Sequence, residues 1–210
     1  SSAASDVYKR QLINMDIFTS KQFVVGFWAS NFLYASFMGI TLIVPLFIEN
    51  IWGGTALEAG LVLLPGTIAA LFINPLAGYL TDRFHARPVI VFFGACLAFG
   101  SVAMAFMDAS TPFWLILLLQ GIRACGVSGL VSPLTSWSME ELAPNRMTDA
   151  SSFSTAIRQA IASMGTALMV FSITLGAQAF GSLLFGFQLA LGLSGVFALA
   201  LFVIALVRVR

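Results

Sequence analysis

The sequence is short of charge, of histidine and of cysteine. Only 9% of its 210 residues are charged, whereas a soluble domain carries roughly 25%, so the chain cannot cover a surface that faces water. Its net charge of +1 excludes the concentrated basic surface that nucleic acid binding requires. A single histidine, His85, provides no cluster for a metal site or a membrane enzyme, and we expect neither catalysis nor a cofactor. The two cysteines, Cys96 and Cys125, lie in apolar runs and are interpreted as small hydrophobic residues.

Long apolar runs take the place of charge. Hydrophobic residues make up 59% of the chain, and the mean hydropathy is +0.96. In lipid the backbone must satisfy its own hydrogen bonds, and long runs favour helices over barrel strands. Six runs reach the length of roughly 20 residues that crosses a bilayer. We therefore predict an all-α polytopic membrane protein with spans at 21–49, 56–81, 88–107, 112–137, 150–175 and 185–207.

Basic residues mark one side of the predicted membrane. Lys and Arg accumulate in short cytoplasmic loops, and here they occur before span 1, in the second and fourth connections and at the C-terminus, but not in the other three connections. The sequence thus predicts both termini in the cytoplasm and a location in the inner (plasma) membrane. The residues concerned are Lys21, Arg83, Arg87, Arg146, Arg208 and Arg210.

Polar side chains recur along one side of spans 1, 2, 4 and 5. Exposing such a stripe to acyl chains is costly, so these four helices are predicted to line a cavity or a protein interior. Spans 3 and 6 have few polar residues and are predicted to face lipid. The alternative for the smaller residues is close helix packing. The candidates for a cavity or coupling role are Asn31, Tyr34, Asn74, Gln120, Arg123, Arg158 and Gln159.

Two of these candidates are arginines about ten residues inside their spans. An arginine at that depth costs at least about 2.5–3.5 kcal/mol on insertion scales. The acidic residues lie near the predicted span ends, so Arg123 and Arg158 have no carboxylate of this chain at their depth. Each faces water or an anionic ligand, hydrogen-bonds to carbonyl groups, or pairs with a carboxylate outside this chain.

The segment GYLTDRFHARP, residues 78–88, joins spans 2 and 3. A glycine permits close helix contact, and Asp82 beside two arginines forms a charge cluster that sliding helices could make or break; a simple basic loop is the alternative. The segment resembles the cytoplasmic signature of the major facilitator superfamily, with His85 where that pattern has a glycine. The resemblance implies a gating role for Gly78, Leu80, Asp82, Arg83 and Arg87.

A second stretch narrows the resemblance. The segment GVSGLVSPLTSWSMEELAPNRMTDASSFSTAIRQAIASMGTAL is similar to the second half of the fourteen-span drug/proton antiporters. That resemblance implies one half of a transporter, with six helices arranged as two inverted three-helix repeats, a 3+3 pattern. It further implies that spans 1, 4, 2 and 5 line the central path.

The resemblance implies proton-coupled efflux of hydrophobic or cationic small molecules. The proton-carrying carboxylate is expected on a missing N-terminal transmembrane half, with Arg123 or Arg158 modulating it. One alternative is a major facilitator carrier of a specific metabolite or anion, with Arg123 binding the anion. Another is a six-span membrane protein that does not transport and pairs with a copy of itself.

The first residues differ in texture from the rest. Residues 1–11 are polar and patternless, and DVYKRQ corresponds to a transposase end used in sequencing adapters. We expect residues 1–11 to be a non-native, adapter-derived segment, 12–20 a cytoplasmic lead-in, and 21–210 the six-helix bundle. A disordered natural terminus is the alternative for the first segment.

Overall fold

The structure is a computed structural model that describes residues 20–142 and 144–209, with the side chains of all of these except 144–146. The expectations for residues 1–11 and for 12–19 lie outside the described residues. The described residues form helices and short connections, which confirms the all-α class and the six predicted spans. The helices are Lys21–Phe47, Ala56–Leu61, Leu64–Phe84, Ala86–Met104, Phe113–Met139, Pro144–Ala179 and Leu183–Arg208, with a π-helical turn at Ile48–Trp52.

These elements make up six spans, numbered in chain order. Span 1 comprises the first helix and its π-helical turn, and it ends at Gly53, whose φ of 76° favours glycine. Span 2 begins with the short helix after Thr55, where Thr55 and Glu58 form a capping box, and continues as Leu64–Phe84. The other four helices are spans 3 to 6. The ends differ from the predicted ones by a few residues, as fraying ends usually do.

The spans form two layers. Span 4 packs against spans 2 and 1, and span 1 packs against span 5, which gives a row in the order 2, 4, 1, 5. Spans 3 and 6 pack against each other and behind spans 4 and 1. We call the surface of the row that faces away from spans 3 and 6 the front face. The row contains the four helices whose polar stripes predicted a shared lining.

The packing of the two halves of the chain is related by an exchange of spans, with one exception. Exchanging spans 1–3 with spans 4–6 converts the contact of spans 1 and 5 into that of spans 4 and 2, and the contact of spans 1 and 6 into that of spans 4 and 3. Both members of these two pairs are extensive, but spans 5 and 6 pack extensively while the equivalent spans 2 and 3 touch over a small area. This exchange is the pattern expected of a 3+3 repeat.

Small residues allow the layers to approach closely. A Cβ on Gly126 of span 4 would come within 2.5 Å of the Leu97 nitrogen of span 3, and one on Gly100 would come within 2.8 Å of Arg123 Cβ. Gly78 differs, because a Cβ there would meet nothing within 4 Å among the described residues. The close helix contact predicted at Gly78 is therefore not made within this bundle.

Hydrogen bonds join the spans at both ends of the bundle. At the end that carries Arg83 and Arg87, called the basic end, Gln22 Nε2 donates to the carbonyl oxygen of Trp137 (2.6 Å). At the opposite end, Trp52 Nε1 donates to the carbonyl oxygen of Thr111 (2.9 Å). The start of span 1 is thus bonded to the last turns of span 4, and the end of span 1 to the connection that precedes span 4.

Candidate functional site

Arg158 of span 5 lies against Tyr34 of span 1. Ser36, two residues further along span 1, bonds to span 6, so at about 100° per residue Tyr34 points to the opposite side, the front face. The Arg158 Cζ atom is 4.8 Å from the centroid of the Tyr34 ring, which is within the range of a cation–π interaction. Its Nη2 atom donates to Thr155 Oγ1 (3.2 Å). The Tyr34 ring and the Thr155 hydroxyl are both neutral, and the Arg158 side chain is only half-buried. The front face therefore carries a positive charge that these partners do not neutralise.

An open groove of about 680 Å³ lies along span 5, next to this arginine. A volume of this size lies within the usual range for small-molecule sites. The exposed Gln159, one of the cavity candidates from the sequence, lines this groove. Apolar side chains alternate with hydroxyl and amide groups, so the groove suits a lipophilic molecule with a few polar atoms. The lining residues are Met38, Gln159, Ala162, Ser163, Thr166, Ala167, Val170, Phe171 and Thr174.

Arg123 of span 4 lies in a different environment. Only 1% of its surface is exposed, and its backbone packs against Gly100 of span 3. Its Nε atom donates to Gln120 Oε1 (3.1 Å), while Nη1 has no hydrogen-bond partner among the described residues. Arg123 and Gln120 are thus together, as their spacing on one helix suggested, but they lie inside the bundle.

The other polar candidates are divided in the same way. Asn31 is 2% exposed and lines a small chamber with Arg158, so spans 1 and 5 bring these two together. Asn74 is exposed on span 2, at the far end of the row from span 5. The structure therefore places Asn31, Tyr34, Arg158 and Gln159 in one region, with Asn74 elsewhere.

The residues of the predicted gating motif lie at the basic end. Asp82, Arg83, His85 and Arg87 line a cavity of about 1220 Å³ between the ends of spans 2 and 4. This cavity also contains Glu140 and Glu141, so charges of both signs face one another there. Asp82 and the two arginines of the sequence motif thus line one cavity, and their gating role stays a prediction.

The contacts within that cluster are not those of a simple ion pair. Arg83 Nη1 donates to the Tyr79 hydroxyl (2.9 Å), and the guanidinium lies over the Phe84 ring. Leu80 packs beside the hydrophobic core. His85 has φ 71° and ψ 161°, a region that essentially only glycine adopts without strain. The histidine that replaces the pattern's glycine therefore occupies a strained backbone position.

Sequence reasoning missed one contributor to the front region. Ser138 of span 4 lines the chamber beside Asn31, but it lies just beyond the predicted end of that span at residue 137. The sequence signal was Gly26, a glycine among large residues. In the structure a Cβ at that position would overlap Ser138 Cβ. A glycine in a large-residue run can mark the position where a second helix approaches.

Comparisons with known proteins agree with this geometry. A family model described as the Major Facilitator Superfamily matches residues 27–210. The chain is 33% identical to the MFS-type transporter YhcA of Bacillus subtilis (strain 168), over 64% of this chain and 25% of that protein. It is 24% identical to the riboflavin transporter RibZ of Clostridioides difficile (strain 630), over 76% of this chain and 35% of that protein. It is 25% identical to the multidrug export protein EmrB of Escherichia coli (strain K12), over 75% of this chain and 31% of that protein. The chain thus spans about a quarter to a third of the length of these relatives.

Proposed function

From the premise that this chain belongs to the major facilitator superfamily of membrane transporters, we propose that it works as six spans of a proton-coupled exporter of hydrophobic or cationic small molecules. In this proposal a second six-helix bundle, supplied by an N-terminal half, covers the front face. The whole lies in the inner (plasma) membrane with both termini of this chain in the cytoplasm.

The observation that carries the proposal is the groove on the front face. Its floor combines a thioether, an aromatic ring and aliphatic groups with hydroxyl and amide groups, as in Met38, Phe171 and Gln159. A lipophilic substrate would bury its apolar surface there and keep a few hydrogen bonds. The relative named as a multidrug export protein supports the same substrate class.

Proton coupling requires a titrating group inside the membrane. The acidic residues of the described part, such as Glu49, Asp82 and Glu140, lie at or near span ends. We propose that the second bundle provides the carboxylate, whose burial would raise its pKa and allow it to load and release protons. Arg158 lies on the front face, where it could face that carboxylate and favour its charged form.

The second candidate is a carrier of a specific anionic metabolite. The observation that favours it is the charge of Arg158, whose recorded partners are neutral. Arg123, which the sequence suggested for this role, is a weaker candidate because it is 1% exposed and bonded to Gln120. The relative named as a riboflavin transporter is consistent with a specific substrate rather than a broad range.

The experiment compares a cationic dye with an anionic one. The complete reading frame that contains this chain is expressed in cells without their own drug pumps, and efflux of ethidium and of a fluorescein carboxylate is followed with and without a protonophore. Protonophore-sensitive ethidium efflux supports the exporter. Transport of the carboxylate alone supports the anion carrier, and a stable dimer of six-span chains with no transport would contradict both.

Variants of Arg158, with a matched variant of Arg208, test the role of Arg158. Arg158→Ala should reduce ethidium efflux several-fold if Arg158 tunes the proton-carrying group, while Arg158→Lys retains the charge and part of the activity. Arg208→Ala, at the end of span 6, removes an equal charge far from the groove and should leave efflux unchanged. Equal losses in the Arg158 and Arg208 variants would contradict a specific role for Arg158.

A further inference from the structure

A small chamber lies where spans 1, 4 and 5 meet, beside Arg158. About 10 Å³ of it is open to the centre of a sphere the size of a water molecule, which is room for about one water. Six of its eight lining residues are polar or charged. The residues are Phe27, Ser30, Asn31, Thr135, Ser138, Met139, Ser154 and Arg158.

Two polar atoms at this chamber have no partner in the described protein. Asn31 is 2% exposed, and its Nδ2 atom makes no hydrogen bond with the described residues; the same is true of the buried Ser154 Oγ. Buried polar groups are nearly always paired, because an unpaired donor loses its bonds to water without replacement. Asn31 and Ser154 therefore require a partner other than the described residues.

The remaining hydroxyl groups have acceptor capacity to spare. Ser138 Oγ donates to the carbonyl oxygen of Thr135 (2.8 Å), and Thr135 Oγ1 donates to that of Val131 (2.7 Å). Each hydroxyl oxygen keeps lone pairs for a further bond. The chamber thus offers donors from Asn31 and acceptors from span 4, which is the mixture that a buried water uses.

We propose that the chamber binds a single water molecule that accepts a hydrogen bond from Asn31 Nδ2 and bridges to Ser154 Oγ. The water links span 1 to span 5 one turn before Arg158. Size decides between water and an anion: the charge of Arg158 would attract chloride, but the chamber has space for a water-sized particle only. Met139 lines both this chamber and the large cavity at the basic end, so the two spaces adjoin at that side chain.

The sign of a stability change tests the proposal. In a hydrated chamber, Asn31→Leu removes hydrogen bonds and should lower the thermal unfolding midpoint of the 210-residue chain in lipid nanodiscs. In a dry chamber the same substitution removes an unpaired amide and should raise the midpoint. Ser154→Ala removes one oxygen atom only, so it gives the same test with little risk to folding. We expect each to lower the midpoint by about 2–4 °C.

A double-mutant cycle tests whether the two residues share one water. If they do, the sum of the midpoint decreases in Asn31→Leu and Ser154→Ala should clearly exceed the decrease in the double variant. Ser101→Ala is the matched control, because Ser101 Oγ is also buried and unpaired in the described protein but lies on span 3, outside the chamber. Its effect should add to that of Asn31→Leu.

Three results would overturn the proposal. A higher midpoint for either single variant would show a dry chamber, and additive effects of the two would show that they do not share a ligand. A midpoint that rises when gluconate is replaced by chloride, in the parent chain but not in Asn31→Leu, would assign the site to an anion.

Discussion

Two serines that hydrogen-bond across the layers offer a direct measure of how the bundle is held together. Ser36 of span 1 and Ser194 of span 6 are both fully buried. Their Oγ atoms are 2.8 Å apart, and each Oγ is also 3.2 Å from the other residue's carbonyl oxygen. After Ser36→Ala the Ser194 hydroxyl can still donate to the carbonyl oxygen of residue 36. A single substitution therefore removes about one hydrogen bond and not every hydrogen bond between the two residues.

The expected magnitude is small, because the membrane-inserted unfolded state also satisfies its hydroxyl groups. Interhelical hydrogen bonds in membranes contribute about 0.6 kcal/mol on average and at most about 1.7 kcal/mol. We expect each single variant to lose about that average, and the Ser36–Ser194 coupling energy to be about 0.6 kcal/mol, or roughly threefold in the unfolding constant.

The assay is reversible unfolding of the chain in mixed micelles with increasing SDS, followed by circular dichroism, for the parent, both single variants and the double variant. Ser172→Ala is the control, because Ser172 Oγ donates only to Leu168 O within its own helix (2.8 Å) and should show no coupling to Ser36→Ala. Additive losses for Ser36 and Ser194, or a stabilised single variant, would refute the assigned hydrogen bonds.

Three further tests concern Gly126, His85 and Asp108. Gly126→Ala should cost about 1–3 kcal/mol by overpacking against Leu97, whereas Gly60→Ala, with nothing within 4 Å of the added Cβ, should be neutral or stabilising; equal losses in chemical unfolding would contradict this. His85→Gly should relieve part of about 1–3 kcal/mol of backbone strain and raise the thermal midpoint, and an unchanged or lower midpoint would argue against strain. Hydrogen bonds from the Ser110 and Thr111 side chains lower the pKa of Asp108, so its stabilising effect is present above its unfolded pKa and is lost as pH falls through the lower folded pKa. Asp108→Asn should therefore flatten the pH dependence of stability below about pH 4, and an unchanged acid slope would contradict that assignment.

The spans and their division into two layers were predictable from the sequence. An apolar run of sufficient length has few alternatives to a membrane helix, because the unpaired backbone excludes other forms. The polar stripes of spans 1, 2, 4 and 5 then indicated which helices share a lining, since a polar side cannot face acyl chains cheaply. Tyr34, Arg158 and Gln159 lie on the front face for this reason.

The distinction between the two arginines was not predictable. Arg123 and Arg158 each lie about ten residues inside a predicted span and have similar polar neighbours in sequence, and helical periodicity gives the direction of a side chain only relative to its own helix. The rotation of span 4 against span 3 decides that Arg123 lies inside, and that rotation depends on the close approach at Gly100. The open space at Gly78 likewise depends on which helices approach it, and the GYLTDR pattern does not contain that information.

The two arginines therefore pose different physical problems. An arginine in mid-membrane costs at least about 2.5–3.5 kcal/mol, and a hydrogen bond to a charged group returns about 1.5–3 kcal/mol. For Arg123 the bond to Gln120 offsets much of that cost inside the bundle, although Nη1 has no partner in the described part of the chain. The contacts of the Arg158 guanidinium with described residues are the Tyr34 ring and the Thr155 hydroxyl, both neutral, and the small chamber lies beside it. Its remaining compensation must come from water, from a substrate or from a second bundle, and each of these changes during a transport cycle. A substitution at Arg123 should thus change mainly the stability of the bundle, while one at Arg158 should change mainly transport.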